Sequence, residues 1–111
     1  MIKEYIDFPL QELNSFHVEE RAAKIIEFDS ASDLDISFSA PNRPEKWYVL
    51  GGGNNILFTK HYDGTLIHPV GCGINIISED DDSITIEAEA AVEWDDLVEN
   101  CVERALWGAE N

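Results

Sequence analysis

Five consecutive residues, Gly51-Gly52-Gly53-Asn54-Asn55, carry the clearest chemical signal in the chain. Three adjacent glycines are costly in conformational entropy, so a run of them needs a reason. Without Cβ atoms, successive backbone N–H groups can turn inward and line a concave anion nest. The two asparagines tolerate left-handed backbone and can donate amide hydrogen bonds. No acid lies within the loop, and Lys46 and Lys60 flank it. Two familiar phosphate loops are excluded. A Walker loop requires Gly-Lys followed by Ser or Thr, which is absent. A dinucleotide fingerprint requires glycine at position 56, which is Ile56, and a helix after it, where an apolar run Ile56-Leu57-Phe58 stands instead. A phosphate site here would work through backbone amides in a loop between strands. The alternative is a flexible hairpin loop.

Other chemistries find less support. His17, His61 and His68 are scattered, without a paired ligand spacing. Cys72 and Cys101 stand 29 positions apart, outside any C-x-x-C pair, and read as two buried thiols in a reducing compartment. The run Glu79–Asp82 lacks the alternating ligands and turn glycine of a calcium loop and reads as a solvated turn. No serine sits in a nucleophile-elbow context. No metal site and no catalytic residue is therefore assigned.

The elements that must hold the loop follow from pattern. Residues 8–21 show neither helical nor strand period and read as extended or irregular. Ala22–Phe28 reads as a strand with a β-branched centre. Ser30 or Ser32 can cap a short helix with Asp33 and Asp35 in its first turn and Ala31, Leu34 and Phe38 on one face, although Leu34, Ile36 and Phe38 also alternate. Pro41 and Pro44 end it. Lys46–Leu50 reads as a buried strand leading into the glycine loop. Asp63-Gly64 is a turn signal and Thr65–His68 a further strand. Ile74–Ile77 and Ser83–Ala90 form a hairpin, with Ile84, Ile86, Ala88 and Ala90 on one face. Trp94, Leu97, Val98, Cys101, Val102 and Ala105 share one helical face, with Trp94 as a core residue, Arg104 near the C-terminal end and Gly108 just beyond. The order of strands and helices makes the fold class α+β.

Charge separates the chain into regions. The 111 residues hold 23 acids and 7 bases, a net charge of −16 and a pI near 4.2. That balance excludes nucleic acid and anionic membranes as partners. The 44% hydrophobic content excludes disorder by composition. A chain this long can bury roughly two thirds of its unfolded surface. No apolar run reaches the length of a membrane helix, and Met1–Asp7 contains no apolar core of a signal peptide. Between Glu45 and Glu79 only one acid occurs, Asp63, while the same window holds Lys46, Lys60, His61 and His68. Two readings account for this island: buried strands exclude charge, or an anion sits there.

In order and spacing, Asn14-Ser15-Phe16, Ala22–Phe28, Val49–Phe58, Asp63-Gly64-Thr65, Glu89–Leu97 and Gly108-Ala109-Glu110-Asn111 resemble the UDP-N-acetylenolpyruvoylglucosamine reductase family. The resemblance runs over nearly the whole chain from Asn14. It implies a two-subdomain FAD-binding fold. The first subdomain would be complete over residues 1–70; the second would be truncated over residues 71–111, a β-hairpin plus helix. Further implications are FAD as cofactor, NADPH as co-substrate and a nucleotide-sugar substrate in the parent enzyme. The family makes UDP-N-acetylmuramate for peptidoglycan in the bacterial cytoplasm. The residues that map onto the FAD diphosphate loop are Gly51, Gly52, Gly53, Asn54 and Asn55, with Ile56 and Leu57 adjoining. Asn54 stands where many members have Ser, and Ser15 where Thr is common. The family's catalytic arginine, serine and glutamate lie beyond residue 111, so the resemblance implies an inactive N-terminal portion. It also implies uncovered apolar surface, which makes self-association a reading to test. Two other readings are a standalone acidic interaction module on the same scaffold and the FAD domain of another oxidase or hydroxylase.

Overall fold

The computed structural model describes residues 1–39, 41 and 43–110. Asn111, the last residue of the terminal motif, lies outside them. The chain divides into two compact units, Met1–Val70 and Gly71–Asn111, and its mixed strands and helices are α+β.

The first unit is built on a four-stranded sheet. Its strands are β1 (Ile2–Pro9), β2 (Arg21–Phe28), β3 (Trp47–Val49) and β4 (Tyr62–Pro69), in the order β1-β2-β4-β3. β1 pairs antiparallel with β2, whereas β2, β4 and β3 run parallel. The inner strands β2 and β4 are near-continuous apolar runs, as sheets covered on both faces require. Ile25 and Leu66 lie side by side on one face and pack with Leu10, Leu50 and Phe58. Ile26 and Ile67 pair on the other face, where α1 (Ala31–Phe38) crosses between β2 and β3. Ser30 caps α1 by accepting from the Asp33 N–H. Ile36 is exposed and Leu34 and Phe38 are half-buried, so the helical period holds over the alternating one. Phe38 meets Trp47 edge-on, with ring centroids 5.2 Å apart.

Two expectations for this unit are corrected, and one strand is added. β1 covers residues 2–9, of which only 8 and 9 belong to the stretch read as extended or irregular. Its half-buried residues are Ile2, Tyr5 and Phe8, and Asp7, between Tyr5 and Phe8, takes a left-handed φ of 50° that interrupts the alternation there. β3 is not buried: Trp47, Tyr48 and Val49 are about half exposed, since β3 is the sheet edge, and only Leu50 enters the core. Asp63-Gly64 does not turn the chain. It forms a bulge inside β4, opposite Ala22–Lys24, where a Cβ on residue 64 would lie 2.8 Å from the Lys46 carbonyl oxygen.

The second unit is a hairpin and a helix: β5 (Ile74–Glu79), β6 (Ile84–Ala88) and α2 (Trp94–Glu103). Ile84 and Ile86 face inward, as alternation predicts. The Asp80 carboxylate accepts from the N–H groups of Asp82 and Ser83, each at 2.8 Å, and closes the turn. On α2, Leu97, Val98 and Cys101 turn inward. Trp94 is exposed rather than core. Cys72 is likewise exposed, in the segment leading to β5, and both cysteines are free thiols. Ala105, rather than a glycine, takes the left-handed position after α2, at φ 57°.

Candidate functional site

β3 and β4 are parallel, so the chain must cross over between them. It does so through residues 50–61 without a helix. Leu50 extends the ladder, donating to the Ile67 carbonyl at 2.9 Å, and is buried. The glycine loop therefore leaves the carboxyl end of a parallel strand, the end at which open α/β sheets present their ligands. Beyond it, Ile56 and Phe58 return the chain to the core.

The three glycines of the loop are not equivalent. Gly53 is buried and adopts φ 76°, and a Cβ there would lie 2.0 Å from the Leu13 carbonyl oxygen and 2.8 Å from the Asn14 Cα. The fold itself demands glycine at this position. Gly51 and Gly52 are exposed and hold no left-handed φ. A Cβ on Gly51 would meet nothing within 4 Å, and one on Gly52 only the Asn54 side-chain amide at 3.3 Å. The fold gives no reason for glycine at either. Among the described residues, none of the N–H groups of Gly51–Asn55 donates to a protein acceptor. An exposed surface free of Cβ atoms and rich in uncommitted N–H donors fits a phosphate group through backbone contacts.

The loop is held from the other side by residues 13–15. The Ser15 N–H donates to the Gly53 carbonyl at 3.0 Å, and the Ser15 hydroxyl to the same oxygen at 3.3 Å. Asn14 is buried, and its amide donates to the carbonyls of Leu10 at 2.7 Å and Val18 at 3.3 Å, while its oxygen accepts from the Val18 N–H at 3.1 Å. The sequence marks Ser15 only through the family resemblance. The tie from Asn14 has no local signal beyond an amide side chain in a segment without period.

Ile56 and Leu57 part company. Ile56 packs against the core, and Leu57 is exposed. Both border a cleft of about 300 Å³ lined also by Lys46, Tyr48, Lys60 and Tyr62. The two lysines beside the loop also differ. Lys46 pairs with Asp63, the island's single acid, which raises the lysine pKa and lowers that of the carboxyl; its ammonium also lies 5.0 Å from the Tyr62 ring centre. Lys60 makes no ion pair among the described residues. The positive charge near the loop is thus smaller than composition alone implies, one of its two lysines being committed to Asp63. His68 stands away from the loop in β4, with Nδ1 3.7 Å from Glu27, beyond hydrogen-bond reach. Among the described residues, no three His, Cys, Asp or Glu side chains gather as metal ligands.

Comparison with known proteins gives a consistent result. No family model matches the chain. A protein of Bacteroides fragilis (strain YCH46) named UDP-N-acetylenolpyruvoylglucosamine reductase is 37% identical over 98 residues, covering 88% of this chain and 30% of that protein. Proteins of the same name from Flavobacterium johnsoniae and Shewanella sediminis are 36% and 37% identical, each covering 95% of this chain and 31% and 30% of their own lengths. The chain thus spans about three tenths of the length of the curated relatives it matches. These relatives bear out the resemblance carried by the glycine loop and its flanking motifs.

Proposed function

We propose that this chain is the FAD-binding portion of a UDP-N-acetylenolpyruvoylglucosamine reductase, with Gly51–Asn55 cradling the cofactor diphosphate. The observation that carries this reading is the pair Gly51 and Gly52, glycines that neither backbone angle nor neighbouring atoms require. A diphosphate approaching the main chain supplies the missing reason, since a side chain at either position would hold it away from the N–H groups. Similarity over most of the chain to reductases of that name supports the same assignment. In this reading the units Met1–Val70 and Gly71–Asn111 are the first FAD subdomain and the opening of the second.

FAD would supply a two-electron carrier between NADPH and the enolpyruvyl group of the UDP-sugar. This chain's own residues would bind and orient. The backbone amides of Gly51–Asn55 would donate to phosphate oxygens, Asn54 would add a side-chain amide donor, and Ile56 would anchor the loop to the core. In this reading the residues that move hydride and proton lie in the longer protein, which works in the bacterial cytoplasm in peptidoglycan precursor synthesis. Among the described residues, no helix is long and apolar enough to cross a membrane.

Flavin absorbance and fluorescence titrations of the purified chain test the reading. FAD, which carries the diphosphate, should bind at least about tenfold more tightly than riboflavin, which lacks it, a difference of about 1.4 kcal/mol. Equal affinity for the two would contradict a diphosphate loop. With NADPH and the UDP-sugar substrate the chain alone should show no turnover, and measurable NADPH oxidation would overturn the assignment of catalysis elsewhere.

A further inference from the structure

We infer that Ser15 is a positioning residue for the glycine loop, acting through the Gly53 carbonyl and not by touching ligand. This inference rests on the diphosphate reading of Gly51–Asn55. A trans peptide is planar, with its C=O and N–H pointing in opposite directions. Ser15 fixes the Gly53 carbonyl with two hydrogen bonds, from its N–H and its hydroxyl. The same peptide plane carries the N–H of Asn54. Holding the carbonyl toward residues 13–15 therefore turns the Asn54 N–H away from them, toward the exposed side of the loop. One serine thus sets the direction of a donor on the opposite edge of the peptide.

The brace is stiff for reasons visible around it. Gly53 lies so close to the Leu13 carbonyl that no side chain fits between the segments. Asn14 ties its own turn to Leu10 and Val18 with three hydrogen bonds. Ser15 is therefore presented from a fixed support. Its N–H survives any substitution except proline, so the hydroxyl is the separable half of the contact. Threonine keeps that hydroxyl and alanine removes it.

The experiment compares the full chain with Ser15→Ala and Ser15→Thr by backbone amide NMR, first without ligand and then titrated with FAD and with inorganic pyrophosphate. Unchanged β2 and β4 amide signals establish that each variant is folded. Without ligand, Ser15→Ala should shift the Gly53 and Asn54 amide signals and lower the order parameters of residues 51–55, and Ser15→Thr should leave them close to the original. On titration, Ser15→Ala should bind FAD about 5- to 10-fold more weakly, the scale of one lost hydrogen bond, with Ser15→Thr within about twofold of the original. Unaltered loop signals in ligand-free Ser15→Ala would overturn the brace. A loop that loosens in Ser15→Ala, in a chain whose residues 51–55 respond to neither FAD nor pyrophosphate, would overturn the diphosphate reading and with it the positioning role.

Discussion

A glycine can be required by its backbone angle, by its neighbours or by something outside the chain, and the glycine loop contains these cases side by side. Gly53 belongs to the first two. A Gly53→Ala variant forces a Cβ into the Leu13 carbonyl at a left-handed angle and should cost about 3 kcal/mol of folding stability, read from a urea melt. Gly52 belongs to the third. Gly52→Val should change stability by less than about 1 kcal/mol, because its only close neighbour is the swinging Asn54 amide. It should nevertheless abolish FAD binding. Equal losses of stability in both variants would show that the distinction is false. A further residue lies outside the loop. Ala105 occupies the left-handed position after α2 that glycine usually fills. Ala105→Gly should therefore raise stability by about 0.5–1 kcal/mol in the same assay, and a destabilised variant would contradict the cap geometry.

At the scale of elements, legibility followed periodicity. β2, α1, β6 and the middle of α2 keep a repeat or a cap that the sequence shows, with Ser30 rather than Ser32 serving as the cap of α1, whereas Trp94 and Val102, which the helical period places on the inner face of α2, are exposed. β1 was hidden because its half-buried residues, Ile2, Tyr5 and Phe8, do not alternate, the left-handed Asp7 interrupting the period between the last two. The exposure of β3 was hidden for another reason: an apolar run looks the same at a sheet edge as at its centre. The Asp63-Gly64 pair carries turn chemistry but is used as a bulge, which only the parallel register with β2 reveals. At the glycine loop, residue type identified a special backbone, whereas the division of labour among its glycines depends on a segment 38 residues earlier in the chain. The turn of the β5–β6 hairpin makes its own prediction. N–H donors from Asp82 and Ser83 hold the Asp80 carboxyl below the ordinary aspartate range. A depressed folded pKa contributes stability above the unfolded value near 3.9, which is lost as pH falls through the folded one. The Asp82 and Ser83 amide signals should therefore titrate with a midpoint below about 3.9, and a midpoint at or above it would refute the assignment.

Over the whole molecule, charge and length take on more specific meanings. Gly71–Asn111 carries twelve acids and one base, against eleven acids and six bases in Met1–Val70. Self-repulsion in the second unit should make it the more salt-dependent of the two. Raising ionic strength from about 0.01 to 0.5 M shortens the screening length from about 30 Å to below 10 Å. Tryptophans mark both units, so β5 and β6 amides followed by NMR give the cleaner readout; they should persist to higher temperature in salt, and salt-independent melting would contradict the prediction. The acidity of the chain thus describes mostly the second unit, leaving a nearly acid-free stretch around the glycine loop in the first. The most direct test of the central claim is a map of amide NMR shifts on addition of FAD to the full chain. Shifts centred on residues 51–55, absent in Gly52→Val, are the predicted result. A saturable response elsewhere that leaves residues 51–55 unmoved, or one that Gly52→Val preserves, would contradict it.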